Sequence, residues 1–239
     1  MRYIYGPVHS RRLGSSLGLS LTPHKLCDFD CVYCQLGKTF RKVLERKEYF
    51  KIEDILAEGH SWFVNNPEQA KALDFITISG SGEPTLNSGI GLLIESLKKT
   101  VAVPVAVITN SSLLGDPVVR RQILGANLIV PSLDAVTEEA FQKIDRPCPE
   151  IKLEEIIEGL VSLRKEFKGQ IWLEVMLVKG INDNLAHTRR LKEVIERINP
   201  DKIQLNSPVR FTAEEGAEAV DAKHLEKIKE LLGDKCEVI

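Results

Sequence analysis

"DFITISGSGEPTL", residues 74–86, decides the fold. It opens as a β-branched run, Asp74 to Ser79, which glycines then stop. A short apolar run without polar alternation reads as a strand buried on both faces. The stretch 88–99 then carries a helical period, so the unit is a strand, a polar turn and a helix. Outward from it the pattern repeats. Strand-like runs stand at 15–22, 104–109, 126–132, 170–178 and 202–206, and helical patterns at 51–64, 116–124, 137–144, 152–167, 184–198 and 221–232. Six strand–helix units with short connections make a parallel sheet covered by helices. Right-handed crossovers leave a doubly wound sheet or a barrel, complete or partial. No linker, low-complexity run or long repeat interrupts the chain, so 1–239 reads as one domain. Its parts are an N-terminal segment (1–14), a core (15–210) and a C-terminal helix and tail (211–239).

With 239 residues, 43% hydrophobic and 28% charged, the chain has a soluble globular profile. A net charge of -2 excludes an overall bias toward polyanions. The N-terminus lacks the apolar core of a signal peptide, and no apolar run approaches the roughly 20 residues of a membrane span. A cytoplasmic protein without membrane contact is expected. There cysteines stay reduced, and a cluster of them points to metal or catalysis.

In either parallel architecture ligands gather at the carboxyl ends of the strands. The conspicuous polar residues fall there: Cys27, Cys31 and Cys34 after the first strand and "SGSGEPT" (79–85) after the second. "TN" (109–110), "SLD" (132–134), "KGIND" (179–183) and "NSPVR" (206–210) follow the other four. In "CDFDCVYCQ" (27–35) three cysteines sit at spacings of four and three with no fourth ligand nearby. Three thiolates on one loop suit three corners of a cubane cluster, whose fourth iron stays open to a substrate or cofactor. A zinc site would need a fourth ligand, such as His24 or a distant cysteine, and zinc modules usually bring paired CxxC knuckles.

"CDFDCVYCQ" resembles the CxxxCxΦC loop of the radical S-adenosylmethionine (SAM) superfamily, and "SGSGEPTL" resembles its GGE motif, with Ser81 in place of the first glycine. The resemblance implies a partial (β/α)6 barrel, an open TIM-like fold. It also implies a [4Fe–4S] cluster on Cys27, Cys31 and Cys34, and SAM as the fourth ligand. Tyr33 would lie against the adenine, and Gly80, Ser81, Gly82 and Glu83 would take the methionine amino group. Asn110, Ser132 and Asp134 would contact ribose and carboxylate, and Pro208 would pass the adenine. Asp134 reads equally as a turn residue or cap for the helix near Thr137. Glu174, a charge inside a strand, points either to cofactor or substrate in a barrel lumen or to solvent from an edge strand. By this resemblance the reduced cluster cleaves SAM to a 5′-deoxyadenosyl radical, which abstracts hydrogen from the substrate.

Over most of its length the chain looks closest to wyosine-synthase-like iron–sulfur oxidoreductases, through "GPVHSRRLGSSLGLSL", "SLDA", "WLEVMLVKGIND" and "QLNSPVR". It lacks their second-cluster cysteines: only Cys148 and Cys236 remain. Cys148 would be a hydrogen-atom donor or covalent handle, or a small residue in a rigid turn; Cys236 reads as core. Arg11, Arg12, Arg146 and Arg210 would bind an anionic substrate. "GKTFRKVLERKEYFK" (37–51), basic with aromatics, is a pointer to tRNA or a phosphorylated substrate, or else a solvated loop. Lys25 and Lys38 would dock an acidic flavodoxin- or ferredoxin-type donor. The substrate is then a small molecule or a modified nucleoside. The alternatives are an activase that makes a glycyl radical on a partner protein, and a non-enzymatic iron–sulfur or zinc protein.

Overall fold

The computed structural model describes residues 2–10 and 12–239. The strands are β1 (Ile4–Ser10), β2 (Gly14–Ser20), β3 (Phe75–Ser79), β4 (Val105–Thr109), β5 (Leu128–Pro131), β6 (Gln170–Met176), β7 (Lys202–Asn206) and β8 (Cys236–Val238). The helices are α1 (Ile52–Asn65), α2 (Pro67–Lys71), α3 (Ile90–Thr100), α4 (Pro117–Ile123), α5 (Glu138–Ile144), α6 (Leu153–Glu166), α7 (Leu185–Ile198) and α8 (Ala222–Leu232). The strands pair in chain order, β1 antiparallel to β2 and all the others parallel. A doubly wound sheet would reverse its order at a switch point. This one never does, so it is an open barrel.

Side chains alternate across each strand. Ile76, Ile78, Val105, Val107, Ile129, Leu173 and Leu205 join the main core with the helices. On the concave face, Leu13, Ala106, Leu128 and Val130 form a smaller apolar cluster with Phe75, Ile108 and Trp172 against it. Helix α3 buries Ile90, Leu93, Ile94 and Leu97, one stripe at helical spacing. Asp116, Thr137, Asn184 and Asp221 each accept a backbone N–H of the helix they precede, the usual work of such N-caps.

The N-terminal segment 1–14, for which the sequence reading named no strand, contributes β1 and its hairpin to β2. "Gly-Pro" at 6–7 punctuates the sequence like a turn, yet an edge strand tolerates it. Tyr5 explains part of the pairing. Its ring lies over Gly18, where a Cβ would come within 2.0 Å of the ring, and its hydroxyl meets Ser79 Oγ at 2.5 Å. The Arg12–Leu13 turn tucks into the concave face, Leu13 packing on Ala106 and Leu128. Arg11 lies outside the described residues. Among the described residues, no helix is long and apolar enough to cross a membrane.

Candidate active site at the strand ends

The loop after β2 carries all three motif cysteines, each half-buried. Each sulfur has a different polar neighbour. Cys27 Sγ lies 3.8 Å from Asp28 Oδ1 and 3.7 Å from the Asn110 amide nitrogen. Cys31 Sγ lies 3.5 Å from Asp145 Oδ1, and Cys34 Sγ 2.8 Å from Lys25 Nζ. Burial lifts the thiols of Cys27 and Cys31 well above their ordinary pKa, with Asp28 and Asp145 adding to it respectively. Among the described residues, no three Cys, His, Asp or Glu side chains are arranged around one metal ion. Cysteines that each reach a different corner of a cluster need not converge in that way. Three thiolates from one loop are a donor set that fits three corners of an iron–sulfur cluster.

Two carboxylates fasten this loop. Asp28 is fully buried and accepts from Asn110 Nδ2 at 2.7 Å and from the Ser112 hydroxyl, while its carbonyl takes the Cys148 amide at 2.9 Å. Asp145, just past α5, touches Cys31, and its carbonyl accepts the Asp30 amide at 3.0 Å. Neither was a candidate from the sequence. The one signal was an ionisable residue directly after the first cysteine.

The Gly80–Glu83 segment closes against the same loop. Gly82 bridges Leu26, whose carbonyl a Cβ at position 82 would approach to 1.9 Å, and Gly80 has φ +102°. The Ser81 amide donates to Ser20 Oγ at 3.0 Å, and the Ser81 carbonyl accepts from the Lys25 amide. Glu83 turns inward. It accepts from Thr85 N, Thr85 Oγ1, Thr109 Oγ1 and the Asn110 amide. Burial and the nearby charge of Asp28 raise its pKa to about 7. Its carboxylate is thus occupied by β4 and its own turn, which leaves the segment its backbone groups and the Ser81 hydroxyl, itself accepting from Ser20 Oγ at 2.9 Å.

Tyr33 donates its hydroxyl to Asp134 Oδ2, and Asp134 Oδ1 accepts the Met176 amide at 2.7 Å. Asp134 thus joins the cysteine loop to β6 rather than capping α5, whose N-cap is Thr137. Its carboxyl is raised to about 7, chiefly by burial. Tyr33, Asn110, Ser132, Asp134 and Asp145 line one narrow cleft. Ser132 bridges Glu174 across to β6.

Glu174 is buried on a strand flanked by β5 and β7, which removes the solvent-facing reading. It pairs with Arg12 at 2.5 Å. Breaking such a pair leaves a charge stranded, whereas replacing both partners does not. Arg12→Met should therefore cost about 2 kcal/mol in denaturant unfolding, and adding Glu174→Met should recover most of it. Additive losses would count against the pair. Arg12 remains partly exposed; Arg146 is spent on Glu214 at 2.6 Å and lies 3.8 Å from Asp30; Arg210 is exposed beyond β7. The described arginines that form ion pairs thus do so with different partners, Arg12 with Glu174 and Arg146 with Glu214 and Asp30. Pro208 is half-buried beside Ser207, whose hydroxyl holds Leu177 O and Val220 N at 2.8 Å each. Cys148 puts its thiol in the main apolar core.

The basic stretch 37–51 straps the strand ends. Lys42 donates to the carbonyls of Arg146 and Pro147, and Arg46 to Thr85 O and Gln122 Oε1. Lys38 pairs with Glu214 and Lys47 with Glu45. Lys38 and Lys47 thus meet carboxylates, while Lys42 and Arg46 spend their donors on neutral oxygens and keep their charge.

The sequence profile of the radical SAM superfamily matches residues 21–191. The chain is 39% identical over 235 residues to the GTPase Obg of Brachyspira hyodysenteriae, a match covering 98% of this chain and 34% of that protein. It is 37% identical to a UPF0026 protein of Methanocaldococcus jannaschii, covering 90% of this chain and 66% of that one. The chain thus spans about a third to two thirds of the length of these curated relatives. In fold it is similar to a radical SAM methyltransferase from Sphaerobacter thermophilus, with TM-score 0.71, 15% identity and coverage of 94% and 66%. Archaeal TYW1 is similar as well, with TM-score 0.59, 18% identity and coverage of 92% and 72%. The chain belongs to the radical SAM superfamily, whose members use a [4Fe–4S] cluster and S-adenosylmethionine.

Proposed function

We propose that Cys27, Cys31 and Cys34 hold the cluster and that the backbone of Gly80–Glu83 receives the methionine end of SAM. The observation that carries this reading is Asn110. It touches Cys27 Sγ and Asp28 with its side chain and Glu83 with its amide, joining the cysteine loop to the glycine segment. When bound, the pair of cofactors supplies one-electron reductive cleavage of the sulfonium and hydrogen-atom abstraction from a substrate.

The chain's own residues do the positioning. Asp28 and Asp145 fix the cysteine loop to β4 and to the segment after α5. Asp134 holds the Tyr33 hydroxyl, and in this reading the ring would lie against the adenine. Glu83 ties the glycine segment to the end of β4 through Thr109 and Asn110. The apolar concave face of Leu13, Ala106, Leu128 and Val130 excludes water beneath the site. Substrate enters that concave face in this reading, and Arg12, oriented by Glu174, is the cation that would meet an anionic group on it. Radical SAM enzymes need a reductant. Leu36 and Phe40, exposed just after Cys34, would dock a flavodoxin- or ferredoxin-type donor.

The test is anaerobic. Protein reconstituted with iron and sulfide should hold about four irons per chain. Its dithionite-reduced EPR signal should shift with SAM, and 5′-deoxyadenosine should accumulate. Zinc in place of iron, or a cluster blind to SAM, would overturn the reading.

A further inference from the structure

Lys25 and Lys38 both flank the cysteine loop, but the structure gives them different work. Lys38 is more than half exposed and pairs with Glu214. Lys25 is half-buried, and its ammonium donates to Cys34 Sγ at 2.8 Å. The chain is bent to put it there. Lys25 takes φ 60°, a left-handed conformation uncommon outside glycine, while its amide is held by the Ser81 carbonyl. The other two sulfurs have carboxyl neighbours, Asp28 on Cys27 and Asp145 on Cys31. Among the described residues, Lys25 is the one cation within hydrogen-bond distance of a motif sulfur.

Resting on the cluster assignment above, we propose that Lys25 is a positioning residue that sets the reduction potential of the cluster through Cys34. Taking up one electron from a low-potential donor adds one negative charge to a buried, thiolate-bound group with carboxyls on two sides. An ammonium in contact with a ligand sulfur stabilises the more negative state more than the less negative one, and hydrogen bonds to cluster sulfurs raise potentials for the same reason. Lys25 then makes the cluster reducible at a potential an ordinary donor can reach. This role differs from docking the donor, and it needs no SAM.

The experiment is an EPR-monitored redox titration of the reconstituted holoprotein without SAM, with dithionite and mediator dyes, at matched iron and sulfide content. Lys25→Met should lower the equilibrium constant for one-electron reduction about tenfold, a midpoint about 59 mV more negative. Lys25→Arg, which keeps the charge, should stay near wild type. Lys25→Gln repeats the comparison with a polar, neutral side chain and should follow Met. An unchanged midpoint in both neutral variants overturns the proposal, as does an Arg variant shifted as far as Met, which would make packing the cause. A wild-type protein that binds no cluster at all would instead remove the underlying cluster assignment, a failure visible in the iron count before any titration.

Discussion

Glu83→Ala should destabilise the protein by about 3 kcal/mol in denaturant unfolding near pH 6. The side chain is 2% exposed and accepts from four donors on two elements: Thr85 N and Oγ1, Thr109 Oγ1 and Asn110 N. Truncation leaves these without an acceptor. Each buried orphan costs about 1–3 kcal/mol, and water entering the vacated space offsets part of the sum. The same residue makes stability depend on pH. Its folded pKa, about 7, stands above the ordinary glutamate value of 4.5, so the folded state binds the extra proton. Its contribution is therefore complete below about pH 4.5 and is lost as pH rises through about 7, on the order of 3 kcal/mol for the shift. Asp134, also near 7, acts in the same window and with the same sign. Cluster-free protein should therefore lose stability between pH 5 and pH 7.5, and Glu83→Gln should flatten part of that slope. A Glu83→Ala protein as stable as wild type would show that the carboxylate does not hold β4 to the glycine segment.

The parallel core was legible because its signals are local. Strands β2 to β7 and the helices packed on them fall within two residues of the expected bounds, since burial on both faces writes unbroken apolar runs and amphipathic stripes. Strand β1 was hidden because its partner contacts are tertiary: the sequence shows Gly6 and Pro7 but not Tyr5 lying over Gly18. Strand β8 has three residues, too few for a period. At the site, strand-end position exposed the cysteines, Asn110 and Asp134 to inspection. Asp28 and Asp145 stayed invisible because their role depends on Asn110, Ser112 and Cys31 meeting them across the fold. The anchoring of the basic stretch was hidden for the same reason. The sequence shows Lys42 and Arg46, whereas the carbonyls they donate to belong to residues 146, 147 and 85.

Alanine at Cys27, Cys31 or Cys34 should abolish stable cluster binding and lower 5′-deoxyadenosine formation by more than about 100-fold, because even outer-shell partners of metal sites cost 10–100-fold. The chain supplies its own controls in Cys148 and Cys236. Both are 5% exposed and belong to the apolar core, and a buried thiol among hydrocarbons behaves as a small hydrophobe. Their alanine variants should unfold about 1 kcal/mol more easily yet keep full iron and sulfide content. The comparison separates three readings. Loss of iron confined to the loop cysteines supports the cluster on one loop with an open fourth corner. Loss of iron on removing Cys148 as well would make it a fourth ligand and close the corner that SAM requires. A Cys148→Ala protein with full iron and normal deoxyadenosine formation, but no turnover of a substrate once one is found, would instead place that thiol in the later hydrogen transfer. Its burial and the hydrogen bond its backbone N–H donates to Asp28 O argue for the first outcome, with Cys148 serving as a clasp behind the cysteine loop.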